Sequence, residues 1–262
     1  AILPSTESSR TALNQNGFIL SMNKTKKPAD RLIFHVDVNS AFLSWESARR
    51  MKEGLPDLRD IPACIGGDPA KRTGIDVAKS NPAKNCGVQT GEPVAMALRK
   101  CPNMVIVPSD FDLYVKCSRA FKKICASYTP VMESFSIDEV FLDMTGTSLL
   151  YPDPIAAAHE IKDRISDELG FTVNVGISTN KLLAKMASDF EKPNKVHTLF
   201  PEEIPAKMWP LPVRELLFLG KASEKKLTEA GIRTIGDLAH AWETDIQTLI
   251  GNKNGHQLYQ YA

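Results

Sequence analysis

Three carboxylates stand where they could share a metal ion. Asp37 ends a short apolar run rich in strand-forming residues, and Asp138 and Glu139 lie in a tight turn about 100 residues later. Carboxylates that share a site repel one another unless a cation neutralises them, and hard cations such as Mg²⁺ take oxygen ligands. Two such ions can activate a hydroxyl and hold a triphosphate. The residues therefore indicate metal-assisted phosphoryl transfer if the fold unites them, and exposed turn acids if it does not.

A second group of candidates is cationic. Lys181 and Lys185 are four residues apart and share a helix face. One of them could meet the phosphates of a metal-bound nucleotide, although the spacing fits a solvated amphipathic helix equally well. The turn formed by residues 192–194, Lys-Pro-Asn, fits both interpretations.

Six segments must position these residues. They are a buried strand over 32–36, a helix over 40–53, two strand segments within 135–143 that meet at a turn near 136–139, a helix over about 155–169 between Pro154 and Gly170, and a strand over 171–177 with one buried face. This is the ferredoxin-like order. In such a sheet the first strand neighbours the hairpin, so Asp37 would lie beside Asp138 and Glu139.

Two further regions complete the predicted α+β fold. Residues 54–108 predict a small inserted subdomain with a hairpin over 62–80, a helix over 94–100 and a strand over 105–107. A long helix over 112–128 follows, with a predicted core stripe of Leu113, Val115, Phe121, Ile124 and Cys125. From about 202 the pattern is entirely helical, with two glycine turns.

Composition excludes several classes of protein. The 262 residues are 43% hydrophobic and 24% charged, with a net charge of +1, so no global basic field indicates nucleic acid. No apolar run reaches the length of a membrane span, and no signal peptide is evident. Five cysteines without a Cys-x-x-Cys motif predict free, mostly buried thiols in a cytoplasmic protein. Residues 1–30 are polar and aperiodic, and are interpreted as an N-terminal extension.

Several ordered motifs resemble one enzyme family. They are His-Val-Asp-Val-Asn-Ser-Ala-Phe at 35–42, Gly-Val-Gln-Thr-Gly-Glu-Pro at 87–93, Ser-Ile-Asp-Glu-Val-Phe-Leu-Asp at 136–143, Val-Gly-Ile-Ser-Thr-Asn-Lys-Leu-Leu-Ala-Lys at 175–185 and Ser-Asp-Phe-Glu-Lys-Pro-Asn at 188–194. From about residue 31 the chain resembles the Y-family translesion DNA polymerases of the bacterial polymerase IV and V type. The resemblance implies addition of dNTPs to a primer during DNA damage bypass.

The resemblance also implies an architecture and roles for residues. The ferredoxin-like palm would comprise 31–53 and 109–201, the fingers 54–108 and a thumb of helix-hairpin-helix motifs 202–262, with the family's little finger domain absent from this chain. Two Mg²⁺ ions would be bound by Asp37, Asp138, Glu139 and the backbone of Val38. Phe42 matches the steric gate against a ribose 2′-OH, although it could equally be a core aromatic. Lys185 matches the lysine that binds the triphosphate.

Other matches are less complete. Many relatives contact the triphosphate through Thr, Tyr and Arg, where this chain has Ala78, Asn81 and Lys84. The first thumb turn, usually Gly-x-Gly, begins here with Phe218. The resemblance assigns Gly220, Lys221 and Gly231 to DNA binding. The implied partners are primer–template DNA, dNTP and, through a region outside this chain, a sliding clamp.

Two alternatives remain open at the level of sequence. A nucleotidyl cyclase also uses a ferredoxin-like palm with metal-binding acids, but the helical hairpins and the Lys-Pro-Asn turn favour a polymerase. A non-catalytic DNA-binding paralogue would explain Ala78, Asn81 and Phe218, whereas the intact Asp37 and acidic pair argue against it.

Overall fold

Two β-sheets and a set of helices make up the described residues, 31–67 and 74–262, of the computed structural model. The strands are β1 Ile33–Val38, β2 Ala63–Gly66, β3 Asp76–Lys79, β4 Val105–Pro108, β5 Met132–Ser134, β6 Glu139–Asp143, β7 Val173–Ser178 and β8 Val196–Thr198. The helices are α1 Ala41–Lys52, α2 Asn81–Asn85, α3 Val94–Lys100, α4 Phe111–Ala126, α5 Pro154–Leu169, α6 Lys181–Asp189, α7 Ile204–Lys207, α8 Lys221–Glu229, α9 Ile235–His240, α10 Glu243–Ile250 and α11 Asn252–Tyr261. The predicted extension, residues 1–30, lies outside the described residues.

The larger sheet has the strand order β5-β6-β1-β7-β8. Its first four strands are antiparallel neighbours in the ferredoxin-like order, which confirms the predicted fold class. The short strand β8, which the sequence pattern did not predict, pairs in parallel with β7 at the edge. Helices α1, α4 and α5 share a core with one face of this sheet, as Trp45, Phe121 and Ile161 show.

The prediction that β7 has one buried face is wrong, because all six of its residues are buried. Helix α6 packs against both β1 and β7, on the face where Ile33, Phe141 and Ala184 form a small separate cluster. The approach is so close that a Cβ on Gly176 would lie 1.9 Å from the carbonyl oxygen of Ala184. Glycine at this position therefore allows α6 to lie directly on the sheet.

The smaller sheet has the order β3-β2-β4 and lies within the predicted fingers. It packs with α2 and α3 around its own core of Cys64, Ala83, Val88, Ala97, Cys101 and Met104. Helix α2 was not predicted; the Ser80 side chain caps it by accepting from the amide of Ala83. Ala63, Ile65 and Val107 of the same sheet belong instead to the core shared with the larger sheet. The division into palm and fingers remains a prediction.

One predicted helix stripe needs correction. On α4, Val115 is 39% exposed, whereas Tyr114 is fully buried. The buried positions Tyr114, Ser118, Phe121 and Cys125 follow a 4-3-4 spacing that keeps them on one face. The pattern missed this because Ser118 and Tyr114 are polar or amphipathic types.

The C-terminal region is helical, as predicted. Helices α8 to α11 share an apolar core that includes Leu227, Leu238, Ile246 and Leu258. No helix within the described residues is both long and apolar enough to cross a membrane. All five cysteines are free thiols, and Cys64, Cys101 and Cys125 are buried.

Candidate active site

Strand pairing brings the three predicted carboxylates to adjacent backbone positions. Asp37 on β1 is the direct antiparallel partner of Glu139 on β6. The amide of Val38 donates to the carbonyl oxygen of Asp138 at 3.0 Å. Residues about 100 positions apart in sequence therefore meet at one end of the central strand pair.

Hydrogen bonds organise the acidic turn before β6. The Ser136 side chain donates to Oδ1 of Asp138 at 2.6 Å and lies 3.2 Å from Oε2 of Glu139. Ser136 was not a predicted site residue. These hydrogen bonds restrict the orientation of both carboxylates. The turn that carries them is half-buried.

Lysines lie against two of the three carboxylates. The ammonium group of Lys192 is 2.7 Å from Oδ2 of Asp37 and 2.8 Å from Oδ1 of Asp189. Lys185 donates to Glu139, whereas Lys181 pairs with Glu133 on β5. Lys192 is the residue that sequence reasoning missed; its Lys-Pro-Asn turn was noted, but its contact lies 155 positions away.

Burial dominates the electrostatics of this group. It raises the pKa of Asp37 to about 6, an effect that Lys192 opposes and Glu139 increases. Burial alone would lower the pKa of Lys192, but Asp37 and Asp189 outweigh it and raise that pKa. Burial disfavours the charged form of Asp37, and the ion pair with Lys192 opposes this effect. Asp37 in turn favours the charged form of Lys192.

A neutral histidine lies behind the carboxylates. Burial, Lys185 and Lys192 together lower the pKa of His35 to about 3. Its Nδ1 is 2.8 Å from the Ser188 hydroxyl, which itself donates to the carbonyl oxygen of Lys185. The buried Nε2 of His35 lies 3.7 Å from Oε1 of Glu139.

The donor chemistry fits a hard divalent cation. Asp37, Asp138 and Glu139 offer carboxylate oxygens, the ligands that Mg²⁺ prefers. Within residues 31–67 and 74–262, no three acidic, histidine or cysteine side chains form a preformed metal cluster. Lys185 and Lys192 instead contact two of the three carboxylates.

A basic cavity of about 450 Å³ lies beside the carboxylates. It is lined by Asn39, Ser40, Leu43, Ser44, Arg59, Asp60, Lys79, Asn81, Lys84, Thr172, Lys192 and Pro193. Of the predicted nucleotide-binding residues, Asn81 and Lys84 line it. Sequence reasoning did not include Arg59 or Lys79, although Lys79 lies within the segment 78–84 that was compared with the triphosphate-binding residues of relatives. Four cations and one acid line the cavity, but Arg59 is paired with Asp57, and Lys192 is paired with Asp37 and Asp189. Lys79 and Lys84 are therefore the lining cations that could meet an anion.

Phe42 lies next to this cavity without being part of its wall. Its ring packs against Tyr114 at 4.7 Å and Trp45 at 5.8 Å between centroids, and the following residues Leu43 and Ser44 line the cavity. The ring is half-buried. The geometry agrees with both a steric gate and a core aromatic.

The predicted DNA-binding residues bracket helix α8. Gly220 precedes it, Lys221 is its first residue, and Gly231 follows it with φ +90°. All three are exposed. Phe218 also has a positive φ, of +67°, and is 62% exposed, so the turn keeps a glycine-like backbone with a bulky side chain.

Known proteins are similar in sequence to most of this chain. The chain is 48% identical over 233 residues to a DNA polymerase IV of Clostridium acetobutylicum, covering 88% of this chain and 58% of that protein. It is 41% identical over 232 residues to DNA polymerase IV 1 of Bacillus subtilis, covering 88% and 54%. The chain thus spans little more than half the length of these relatives.

Solved structures show the same fold. DinB from Sulfolobus solfataricus superposes with a TM-score of 0.78 at 24% identity, over 88% of this chain and 66% of that one. A Y-family DNA polymerase chimera gives a TM-score of 0.77 at 25% identity, with the same coverage. Residues 218–262 match the thumb domain of DNA polymerase-iota. Residues 36–189, which hold every carboxylate of the site, match the impB/mucB/samB family, and the chain belongs to this family of Y-family polymerases.

Proposed function

We propose that this chain is the catalytic core of a template-directed DNA polymerase of the translesion type. It would add dNTPs to a primer 3′-OH during DNA damage bypass. The observation that carries the proposal is the pairing of Asp37 with Glu139, next to Asp138 and beside a basic cavity. The names of the relatives support the same activity.

The proposed metal site uses the oxygens that the fold brings together. Asp37, Asp138, Glu139 and the carbonyl oxygen of Val38 would hold two Mg²⁺ ions. When bound, such ions supply charge neutralisation and activation of the attacking hydroxyl. The hydrogen bonds of Ser136 would keep two of the carboxylates oriented.

The proposed nucleotide site is the basic cavity. Lys84 and Asn81 would contact the phosphates from α2, with Lys79 and Arg59 adding charge from the fingers side. Lys84 gives a point charge where relatives have an arginine fork, so binding would be less directional. Lys185 would leave Glu139 to meet the phosphates, and Phe42 would exclude the ribose 2′-OH.

The thumb turns would contact primer–template DNA. Gly220, Lys221 and Gly231 lie at the two ends of α8, where exposed backbone amides can approach phosphates. A cytoplasmic location follows from the proposed substrates. A sliding clamp as partner remains a prediction.

Primer extension tests the function directly. The chain is incubated with Mg²⁺, dNTPs and a primer–template, and Asp138→Ala is compared with wild type. We expect loss of extension by several orders of magnitude, because a metal ligand stabilises the transition state by several kcal/mol.

Glu133→Ala is the matched control, because Glu133 is an ion-paired carboxylate on the adjacent strand β5. It should extend primers normally. Equal rates for Asp138→Ala and wild type would reject the site. A wild-type chain without extension that still binds DNA would favour the non-catalytic paralogue, and cyclic product from ATP alone would favour a cyclase.

A further inference from the structure

Two cysteines at the ends of α2 and α3 lie side by side. Cys86 directly follows α2, and Cys101 directly follows α3. They are 15 positions apart in sequence, and the Cys101 thiol donates to Sγ of Cys86 at 3.1 Å. A disulfide needs these two atoms about 2.05 Å apart, so a movement of about 1 Å separates the two thiols from a bond.

We propose that Cys86 and Cys101 form a reversible thiol–disulfide pair, which hydrogen peroxide oxidises and which then joins the ends of α2 and α3 covalently. This modification site lies in the smaller sheet and its helices. It uses none of the residues assigned to the metal or nucleotide site, so the inference does not depend on the proposed function.

The two thiols differ in their access to solvent. Cys86 is exposed, whereas Cys101 is buried in the core that also holds Ala97 and Met104. The hydrogen bond to Cys86, together with burial, raises the pKa of Cys101, so Cys101 keeps its proton while Cys86 meets the oxidant. Exposure therefore assigns the first reaction to Cys86 and the second to Cys101.

The oxidation proceeds in two balanced steps. The Cys86 sulfur attacks one oxygen of the peroxide and the O–O bond breaks; the leaving hydroxide takes the thiol proton as water, and a sulfenic acid remains. The Cys101 sulfur then attacks the Cys86 sulfur, the S–S bond forms, and the S–O bond breaks to release a second water. Two thiols thus lose two electrons to one peroxide, and a dithiol reductant reverses the reaction by thiol–disulfide exchange.

Contacts beside the pair hold the two helix ends together. The ammonium group of Lys100, the neighbour of Cys101, donates to the carbonyl oxygen of Gly87, the neighbour of Cys86, at 3.0 Å. Lys100 also pairs with Glu92 at 2.6 Å. The disulfide should therefore form within the native fold, and it should stabilise that fold because it restricts the unfolded chain.

Mass spectrometry tests where the bond forms. The reduced 262-residue chain is treated with a small excess of hydrogen peroxide, its remaining thiols are alkylated, and it is digested with trypsin without reduction. Cleavage after lysine and arginine places Cys86 in the peptide 85–99 and Cys101 in the peptide 101–116. We expect these two peptides to be linked after oxidation and separate after dithiothreitol. Failure to find the linked peptides, or a disulfide dimer in non-reducing electrophoresis instead, would overturn the proposal.

Three serine variants test the order of reaction. Cys101→Ser should stop at a sulfenic acid on Cys86, which dimedone traps, whereas Cys86→Ser should react several-fold more slowly at Cys101. Cys117→Ser is the matched control, because it removes a half-buried thiol on α4, and it should give the same linked peptides as wild type. Faster dimedone labelling of Cys101 than of Cys86 would overturn the assigned order.

Urea unfolding tests the effect on the fold. We expect oxidised wild type to unfold at a higher urea concentration than reduced wild type, and dithiothreitol to abolish the difference. Peroxide-treated Cys86→Ser should show no such increase, which separates the disulfide from oxidation of the eight methionines. An unfolding midpoint that the disulfide does not raise would overturn its stabilising role.

Discussion

A buried carboxylate in the smaller sheet illustrates how a single residue affects the pH dependence of stability. Asp76 on β3 is fully buried. Burial raises the pKa of Asp76 to about 6, with Lys79 opposing and Glu92 adding to the shift. The folded state therefore binds a proton more tightly than the unfolded chain, and stability falls as pH rises from about 4 to 6.

Asp76→Asn should remove this dependence. We expect the free energy of unfolding of the variant, relative to that of wild type, to increase by about 1–3 kcal/mol as the pH rises from about 4 to 6. Below this window the difference should be constant, because wild-type Asp76 is then protonated in both states. Urea unfolding across the pH range measures the difference. Asp167→Asn, on the exposed surface of α5, should show no such window.

Substitution of Phe42 can distinguish a steric gate from a core aromatic. Phe42→Ala should raise ribonucleotide incorporation relative to dNTP incorporation, because a wall that excludes the 2′-OH is removed. The ratio is measured by primer extension with each nucleotide type. Phe111→Ala is matched to it, since Phe111 also packs on Tyr114, at 5.6 Å, but is 64% exposed. A similar ratio in both variants would assign Phe42 to the core.

At this scale, the sequence predicted which residues lie together only where the backbone constrains them. Asp37 and Glu139 were chosen because strand ends and turns limit where their backbone can lie, and the strand register then pairs them. Lys192 has no such local signal. Its contact with Asp37 depends on the path of the chain after α6, which no periodicity records.

Element boundaries were predictable where backbone chemistry fixes them. Helix α5 begins at Pro154 and ends before Gly170, whose φ of +80° terminates it. Short elements held by tertiary contacts were not predictable; α2 and β8 were missed for this reason. The second buried face of β7 needed knowledge that α6 lies on it, which Gly176 alone did not reveal.

The turn before α8 holds local strain. Phe218 adopts φ +67°, a conformation that costs a residue with a Cβ about 1 kcal/mol. Its ring lies 6.2 Å from that of Tyr261, a contact that glycine could not make. The sequence has phenylalanine where glycine was expected, and the structure shows a backbone conformation there that glycine adopts more easily.

Two substitutions separate strain from ring contact. Phe218→Gly loses the ring and the strain, whereas Phe218→Ala loses the ring alone. We expect the glycine variant to be more stable than the alanine variant by about 1 kcal/mol, the reverse of their usual order in regular structure. Urea unfolding of both variants measures this. Greater stability of Phe218→Ala would show that the turn relaxes to negative φ.

At the scale of the whole molecule, positive and negative charges nearly balance, but they are unevenly distributed over the fold. The chain has 32 Lys and Arg against 31 Asp and Glu, yet four cations and one acid line the cavity next to the carboxylates. The sequence excluded a global basic field correctly, but only the fold shows where the cations gather. Arg59, Lys79 and Lys192 come from three separate segments, so no run of sequence could indicate their shared cavity.

The thumb gives the last prediction, because its charges are mostly balanced. Residues 202–262 hold seven Lys and Arg against eight Asp and Glu, and Lys207, Arg214 and Lys225 already pair with glutamates. Each phosphate contact adds about 0.9 to the slope of log affinity against log salt concentration. We therefore expect this chain to bind primer–template DNA weakly, with a shallow slope, in anisotropy titrations at increasing KCl. Lys221→Ala should reduce that slope by about one contact, whereas Lys207→Ala should leave it unchanged because Lys207 is held by Glu203. A steep slope that neither variant changes would place the DNA contacts outside the thumb.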